Sequence, residues 1–292
     1  MVRKCDYMIR EQMSQKLKMA EYAQLEPYQF RQLCRDAKHT SHTSGACEKY
    51  AQANLIVLPK EYANDFINLC LRNPVPCPLL CETPVGDPFT VDDSRYLQKG
   101  FDLRTDFPSY NIYENGELRL TKTDVMDEWS SNHIGFLIGC SHSFEHELCE
   151  NGLIPRHLTL GRGVPVYKTT KNLDPAGVFI NCTYVVSMRP YKPEDVPKVR
   201  KITSRFRKTH GEPIHWGYDG AERLGIPDLK RPDFGGQPVI HDNEIPVFWG
   251  CGVTPQLVVM QQKEKIRGPV ISHTTGAMLT LDITSEHIKR LG

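Results

Sequence analysis

Two apolar runs that each end in a glycine–cysteine turn and pass straight into a helix start constrain this chain more than any other feature. The first is residues 135–150, GFLIGCSHSFEHELCE. Its apolar stretch, Phe136 to Ile138, is broken by Gly139 and Cys140. Ser141 and Ser143 then open a segment with helical spacing at Phe144, Leu148 and Cys149, stopped by Asn151-Gly152. The pattern predicts a strand, a turn and a helix whose first free N–H groups meet hydroxyl side chains. Such a start favours an anion through those N–H groups and the helix dipole. The second is residues 245–259, IPVFWGCGVTPQLVV. Here Thr254 is expected at the N-cap and Pro255 at the first helical position, where no N–H is needed. In α/β sheets ligands bind outside the carboxyl ends of strands, at turns of this kind. Two of them predict a pocket.

Around these junctions the pattern alternates between helix and strand. A buried strand is expected over residues 54–58, ending at Pro59, then a helix with Tyr62, Phe66 and Leu69 on one face, closed by Asn73-Pro74. Residues 74–108 are rich in proline and read as a long ordered loop. Residues 111–120, NIYENGELRL, alternate around Asn115-Gly116 as a β-hairpin does. Residues 164–169 and 178–190 are strand-like, and a helix beginning near Pro193 buries Val196, Val199, Ile202 and Phe206. Residues 38–47, KHTSHTSGAC, form a polar loop. The expected fold is α/β: a mixed sheet flanked by helices, with a second, smaller α+β domain. The expected division is an N-terminal extension at 1–26, a main domain from 27–130 and 230–292, and an insertion at 131–229.

At 292 residues, with 39% apolar and 24% charged, the composition is that of a globular protein with a sizeable core. A net charge of +1 gives no electrostatic case for nucleic-acid or membrane partners. No apolar run approaches the ~20 residues of a membrane helix. The ten cysteines are scattered through apolar segments and read as buried thiols in a reducing compartment. The cytoplasm is expected, with the mitochondrial matrix as the alternative. Residues 1–24 carry apolar Ile9, Met13 and Leu17 at intervals of four, as an amphipathic helix would, but Asp6 and Glu11 count against a targeting signal.

Single motifs are weak. His142, Glu145 and His146 match the H-x-x-E-H zinc pattern, yet no third ligand is fixed by spacing; a helix start with a surface imidazole is the expectation, and no metal. Gly139 to Ser143 lacks the final glycine of a nucleophile elbow. Gly161-Arg162-Gly163 is a lone G-x-G before a strand, so no dinucleotide site is expected. Arg189 follows a strand and Arg205 lies on the next helix; either guanidinium could bind a carboxylate through paired hydrogen bonds. His210 and His215 fall in HGEPIH and are read first as structural.

Taken together the segments are specific. The run QANLIVLPKEYANDFINLCLRNPVPCP (52–78), DLRTDFPSYNIY (102–113), FLIGCSHSFE (136–145), VVSMRP (185–190), ITSRF with HGEPIH, FWGCGVTPQ (248–256) and SHTTGAML (272–279) resemble, in order, the D-glutamate cyclase family of hydro-lyases. The resemblance covers about residue 30 to the C-terminus. It implies a two-domain α/β fold and a lyase that closes D-glutamate to 5-oxo-D-proline with loss of water. The chain departs from the family at four places. His142 stands where the family has an aromatic residue, Gly250 where it has alanine, Tyr218-Asp219-Gly220 where it has Gly-Asp-Pro, and Thr275 near a proline position.

Cyclisation needs a base, donors for a tetrahedral oxyanion and an acid for the leaving oxygen; no redox cofactor is required. The expected catalytic candidates are Glu145, His215, Cys251 and His273. Substrate-binding candidates are Cys140, Ser141, Ser143, Arg189, Arg205, Thr254 and Gln256, with one substrate carboxylate at each helix start. The expected partner is a small dicarboxylic amino acid, and a homodimer is compatible with the sequence. The alternatives are a hydro-lyase or amidohydrolase acting on another small carboxylate, and a non-catalytic binder of acidic metabolites.

Overall fold

The computed structural model describes residues 20–291. The amphipathic segment expected over residues 1–24, and with it the targeting question, lies almost wholly outside them. In chain order the first elements are α1 (Pro27–Arg35), β1 (Tyr50–Pro59), α2 (Ala63–Arg72), β2 (Leu79–Glu82), β3 (Tyr110–Glu114), β4 (Glu117–Lys122) and β5 (His133–Gly139). Then come α3 (Glu145–Glu150), α4 (Arg156–Leu160), β6 (Val166–Asn172), β7 (Thr183–Tyr191), α5 (Val196–Thr203), β8 (His215–Trp216) and α6 (Gly217–Arg223). The last are β9 (Ile245–Gly250), α7 (Thr254–Gln261), β10 (Pro269–His273), β11 (Leu279–Thr284) and α8 (Ser285–Ile288).

Two sheets result. The larger has the order β2-β5-β1-β10-β3-β4, with β11 also on β1; the smaller has the order β6-β7-β9-β8. This is the expected α/β class with two sheets, but the pairings between these strands are antiparallel in both, where a mixed sheet was expected. Alternation and strand length do not encode strand direction. The strands pass from the larger sheet to the smaller between Gly139 and Val166, and return between Gly250 and Pro269.

β1 is the central strand. β5 pairs along one edge from Ala53 to Pro59, while the other edge is shared by β11 at Tyr50 to Ala53 and β10 at Ile56 and Val57. Its residues are buried on both faces, which is why the sequence shows a continuous apolar run and no alternation. Leu55, Val57, Leu137 and Ile271 face the space between the sheets and pack with Val247, Trp249 and Tyr191 of the smaller sheet and with Val196, Val199 and Ile202 of α5. The opposite face, Ile56, Leu58, Phe136 and Ile138, is covered by Phe66 and Leu69 of α2 and Val258 and Val259 of α7. The outer face of the smaller sheet, Val186, Met188 and Phe248, is covered by Ala221 and Leu224.

The β3–β4 hairpin turns at Asn115 and Gly116, with φ of 52° and 71°, the left-handed pair that a two-residue type I′ turn requires. The proline-rich segment expected as loop contributes β2 at the sheet edge. The polar loop at 38–47 is a loop, but it folds inward: Thr43, Ser44 and Cys47 are all buried. Among the described residues no helix is long and apolar enough to cross a membrane.

Candidate active site

Glycine brings the two junctions together. A Cβ at Gly139 would stand 1.9 Å from the Lys208 carbonyl, and one at Gly252 would stand 1.9 Å from the Asn54 amide nitrogen. Asn54, on β1, donates that amide to the carbonyls of Ile138 (3.2 Å) and Gly139 (3.0 Å). The ends of β5 and β9 thus meet over one buried asparagine, an approach that any side chain at these glycines would block. The thiols of Cys140 and Cys251 lie here. Burial pushes the Cys251 thiol up to about 11 and that of Cys140 higher still. Both are protonated at neutral pH and are poor nucleophiles. Cys140 instead caps the 3-10 turn that precedes α3, its sulfur accepting the His142 N–H at 3.5 Å.

Between the sheets lies a buried ionic cluster. Arg189 on β7 is wholly buried. Its Nε donates to Glu145 Oε1 at 3.0 Å, and its Nη2 donates to the same oxygen and, at 3.1 Å, to Ser141 Oγ. Nη1 donates to Ser187 Oγ at 3.1 Å. The guanidinium lies over the rings of Phe144 and Trp249, 5.1 and 5.3 Å from their centroids. Strand register explains its direction: Arg189 pairs with Val247, on the face that looks toward the larger sheet. His157 of α4 completes the cluster, its Nε2 lying 3.1 Å from Glu145 Oε1 and 3.1 Å from Ser44 Oγ. Burial alone would raise the Glu145 carboxyl, but His157 and Arg189, with His142, outweigh it and hold the group below the usual carboxylate range. Glu145 is an anion at any working pH.

A family model described as D-glutamate cyclase matches residues 134–282, a span that holds Glu145, His157, Arg189 and both glycine turns. A protein of Schizosaccharomyces pombe named "Putative hydro-lyase" is 48% identical over 91% of this chain and 87% of its own length. Proteins with the same name from Staphylococcus carnosus (44% identical, 92% of this chain, 99% of theirs) and Rubrobacter xylanophilus (45%, 86% and 93%) are similarly close. The chain belongs to the D-glutamate cyclase family. It is a lyase of the hydro-lyase class.

In this family member the expected site residues divide. Ser141, Glu145 and Arg189 are joined by direct hydrogen bonds, and Cys140 caps the turn beside them. Ser143 binds the backbone of Gln52, accepting its N–H at 3.0 Å. Thr254 is the first residue of α7, with Val253 in the cap position; its hydroxyl donates to the Cys251 carbonyl (2.7 Å) and accepts the Val185 N–H (3.1 Å). These bonds tie α7 to β7 and leave no hydroxyl facing the site. Gln256 donates to the His273 carbonyl at 2.7 Å. His273 takes the Leu55 N–H at 3.1 Å, where β10 and β11 part along β1, so its imidazole substitutes for a strand partner. His215 pairs with Phe248, on the face of the smaller sheet turned away from Arg189. Arg205 is exposed and pairs with Glu147 at 3.3 Å.

The zinc pattern separates in the same way. His146 points outward, 3.9 Å from Glu48 and 3.7 Å from Glu150. His142 turns inward, where His142, Glu145 and His157 hold ligand-type atoms within 4.8 Å of one another. These three are the described residues that could hold a metal. Arg189 already places two donors on Glu145 Oε1, so a divalent ion there would face a buried guanidinium. Gln52 donates its amide to the carbonyls of Thr43 (3.0 Å) and Ala46 (3.1 Å), which turns its oxygen toward His142 Nδ1 at 3.3 Å. That nitrogen therefore carries the proton, and burial lowers the His142 pKa to about 3, leaving the ring neutral. Sequence reasoning missed Ser44, Gln52, His157 and Ser187; Gln52 and Ser187 stand inside blocks that carry the resemblance, but nothing there marked them as site residues.

Proposed function

We propose that this hydro-lyase closes D-glutamate to 5-oxo-D-proline, with water as the second product. The observation that carries the reading is the fully buried chain from Ser141 through Arg189 and Glu145 to His157, set where the two glycine turns meet. In the reaction a bond forms between the amine nitrogen and the γ-carbon, and one γ-carbon–oxygen bond breaks. The ammonium loses two protons, and both leave in the water, so no net proton is exchanged with solvent. Such a reaction needs groups that take a proton and return it, together with donors fixed on the tetrahedral oxyanion. His157, with Nε2 3.1 Å from Glu145 Oε1, supplies an imidazole to carry the proton. The Ser141 hydroxyl, backed by Arg189, supplies a donor. Holding a flexible five-carbon chain folded for attack adds a proximity contribution.

The direct test is formation of 5-oxoproline from D-glutamate by the purified protein, followed by chromatography. Ser141→Ala is expected to lower kcat by about 10²-fold, the usual loss for one oxyanion donor. Thr254→Ala removes the partner of a buried N–H and is expected to cost stability, about 1–3 kcal/mol, more than rate. Equal kinetic losses in the two variants would instead place a substrate carboxylate at each helix start. A second reading, a hydro-lyase acting on another small carboxylate, has its support in His142, where the resemblance expects an aromatic residue. A substrate panel in which D-glutamate is turned over more slowly than another dicarboxylate would favour it.

A further inference from the structure

A small cavity of about 60 Å³ reaches the ionic cluster from the surface, between the polar loop and α3. Its lining includes Ala46 of the loop, Glu145 and His146 of α3, and Glu48, Gln52 and His142. Among the described residues that line it there are two carboxylates and no lysine or arginine. A substrate carboxylate would meet Glu48 and Glu145 there, and like charges at short range repel strongly in a partly enclosed space. A cation would be attracted. Since about 150 Å³ accommodates a benzene ring, this space matches one ammonium group with its α-carbon.

Two buried acceptors at the cavity lack a full set of donors. Glu145 Oε1 is crowded: Arg189 Nε and Nη2 donate to it, and His157 Nε2 lies 3.1 Å away. Oε2 takes only the Ser44 hydroxyl, at a long 3.4 Å. His142 is 8% exposed, and its Nδ1 is committed to Gln52 Oε1. That contact is the ring's one side-chain hydrogen bond among the described residues. Gln52 is itself clamped, its oxygen also accepting the Thr43 hydroxyl at 2.8 Å, so the tautomer is set from behind the ring. With the proton on Nδ1, Nε2 is left as a lone pair. Buried acceptors are usually paired, and a primary ammonium, with three donors and no acceptor, is the complement of this pair.

We propose that this cavity is the ammonium subsite of the enzyme, where the amino group of the substrate donates to Glu145 Oε2 and His142 Nε2. His142 is then a substrate-binding residue, and Gln52 is the residue that positions it. The proposal rests on the reading under Proposed function for the reaction, and adds how the amine meets the same cluster. It places the amine on one oxygen of Glu145 and the His157 imidazole on the other. It also gives the departure at residue 142 a consequence: a phenyl ring there would fill the space and accept no hydrogen bond in the ring plane. Burial keeps the His142 imidazole neutral, so the acceptor is available at neutral pH.

The test is calorimetric binding of D-glutamate and of glutarate, the same dicarboxylate without the amine, to the wild-type protein and two variants. Wild type is expected to bind glutarate at least about tenfold more weakly than D-glutamate. His142→Phe keeps a ring against His157, where the two imidazoles stack with centroids 6.2 Å apart, and leaves Gln52 Oε1 bonded to Thr43. It is expected to weaken D-glutamate binding about tenfold, the loss of one hydrogen bond to a charged group, and to change glutarate binding less than about twofold. His142→Gln, whose amide oxygen reaches about as far as Nε2, is expected to recover most of the D-glutamate affinity. Equal binding of the two ligands by wild type, or equal effects of His142→Phe on both, overturns the proposal. If D-glutamate shows the expected discrimination but forms no 5-oxoproline, the subsite stands and the proposed reaction fails. If D-glutamate and a panel of other α-amino acids produce neither heat nor a thermal shift in the wild-type protein, the subsite is wrong.

Discussion

Arg189→Met is expected to destabilise the protein by about 3–5 kcal/mol and to abolish turnover. The guanidinium is the principal hydrogen-bonding partner of a carboxylate that is itself buried, and it also supports Ser141 and Ser187. Removing one partner of a buried pair leaves an uncompensated charge, which costs more than the intact pair contributes. Lysine is not a substitute, because a single ammonium cannot reach Glu145, Ser141 and Ser187 in the fork geometry observed. The measurement is urea unfolding followed by circular dichroism. The paired variant Arg189→Met/Glu145→Gln is expected to recover part of the loss, since neutralising both partners removes the stranded charge. A coupling of at least about 1 kcal/mol between the two positions is the signature of a direct interaction. A single-variant loss under about 1 kcal/mol, or strict additivity, would mean that Glu145 is sustained by His157 alone.

The elements whose cause is local were legible in the sequence. β1 follows from a continuous apolar run, α2 from Tyr62, Phe66 and Leu69 and the stop at Asn73-Pro74, the hairpin from Asn115-Gly116, and both junctions from glycine and cysteine after apolar strands. Arg189 apart, the candidate site was legible only where it coincides with a junction. Ser141 and Glu145 stand in one, while their partners arrive from far along the chain: Ser44 lies 101 positions from Glu145 and 113 from His157, and Gln52 lies 90 from His142. Nothing in a polar loop such as KHTSHTSGAC says which hydroxyl turns inward. Arg189 and Arg205 looked alike as residues. What separates them is strand register, which points Arg189 into the space between two sheets, whereas Arg205 follows α5 on the surface. The helix start at Thr254-Pro255 was legible, but the cap falls on Val253 without a side-chain bond, and the Thr254 hydroxyl serves α7 and β7 through Cys251 and Val185, a role that needs the neighbouring strand to be seen.

Stability is expected to fall steeply between pH 6.5 and 5, before most carboxylates titrate. Burial lowers three enclosed histidines, His142 to about 3 and His210 and His273 to about 4. In the unfolded chain each titrates near its ordinary value of 6.5. Between those limits the unfolded state binds protons that the folded state refuses, so the free energy of unfolding declines as pH drops. The stabilisation is complete above the unfolded pKa and is lost progressively toward the folded ones. Each group contributes about 1.4 kcal/mol per pH unit inside its window, so three together can approach about 4 kcal/mol per unit. Burial lowers His42 and His133 in the same direction. Glu145 also loses stability as pH falls, but only below its unfolded value of 4.5, and so adds nothing at pH 5.5. Asp106, which burial raises above its ordinary value of 3.8, opposes the trend. The measurement is the urea midpoint at a series of pH values from 7.5 downward, with the proton uptake on unfolding obtained from the slope. His273→Gln should reduce that slope by about one proton near pH 5.5. A midpoint that stays flat to pH 5 would mean that these imidazoles are not held neutral in the folded protein.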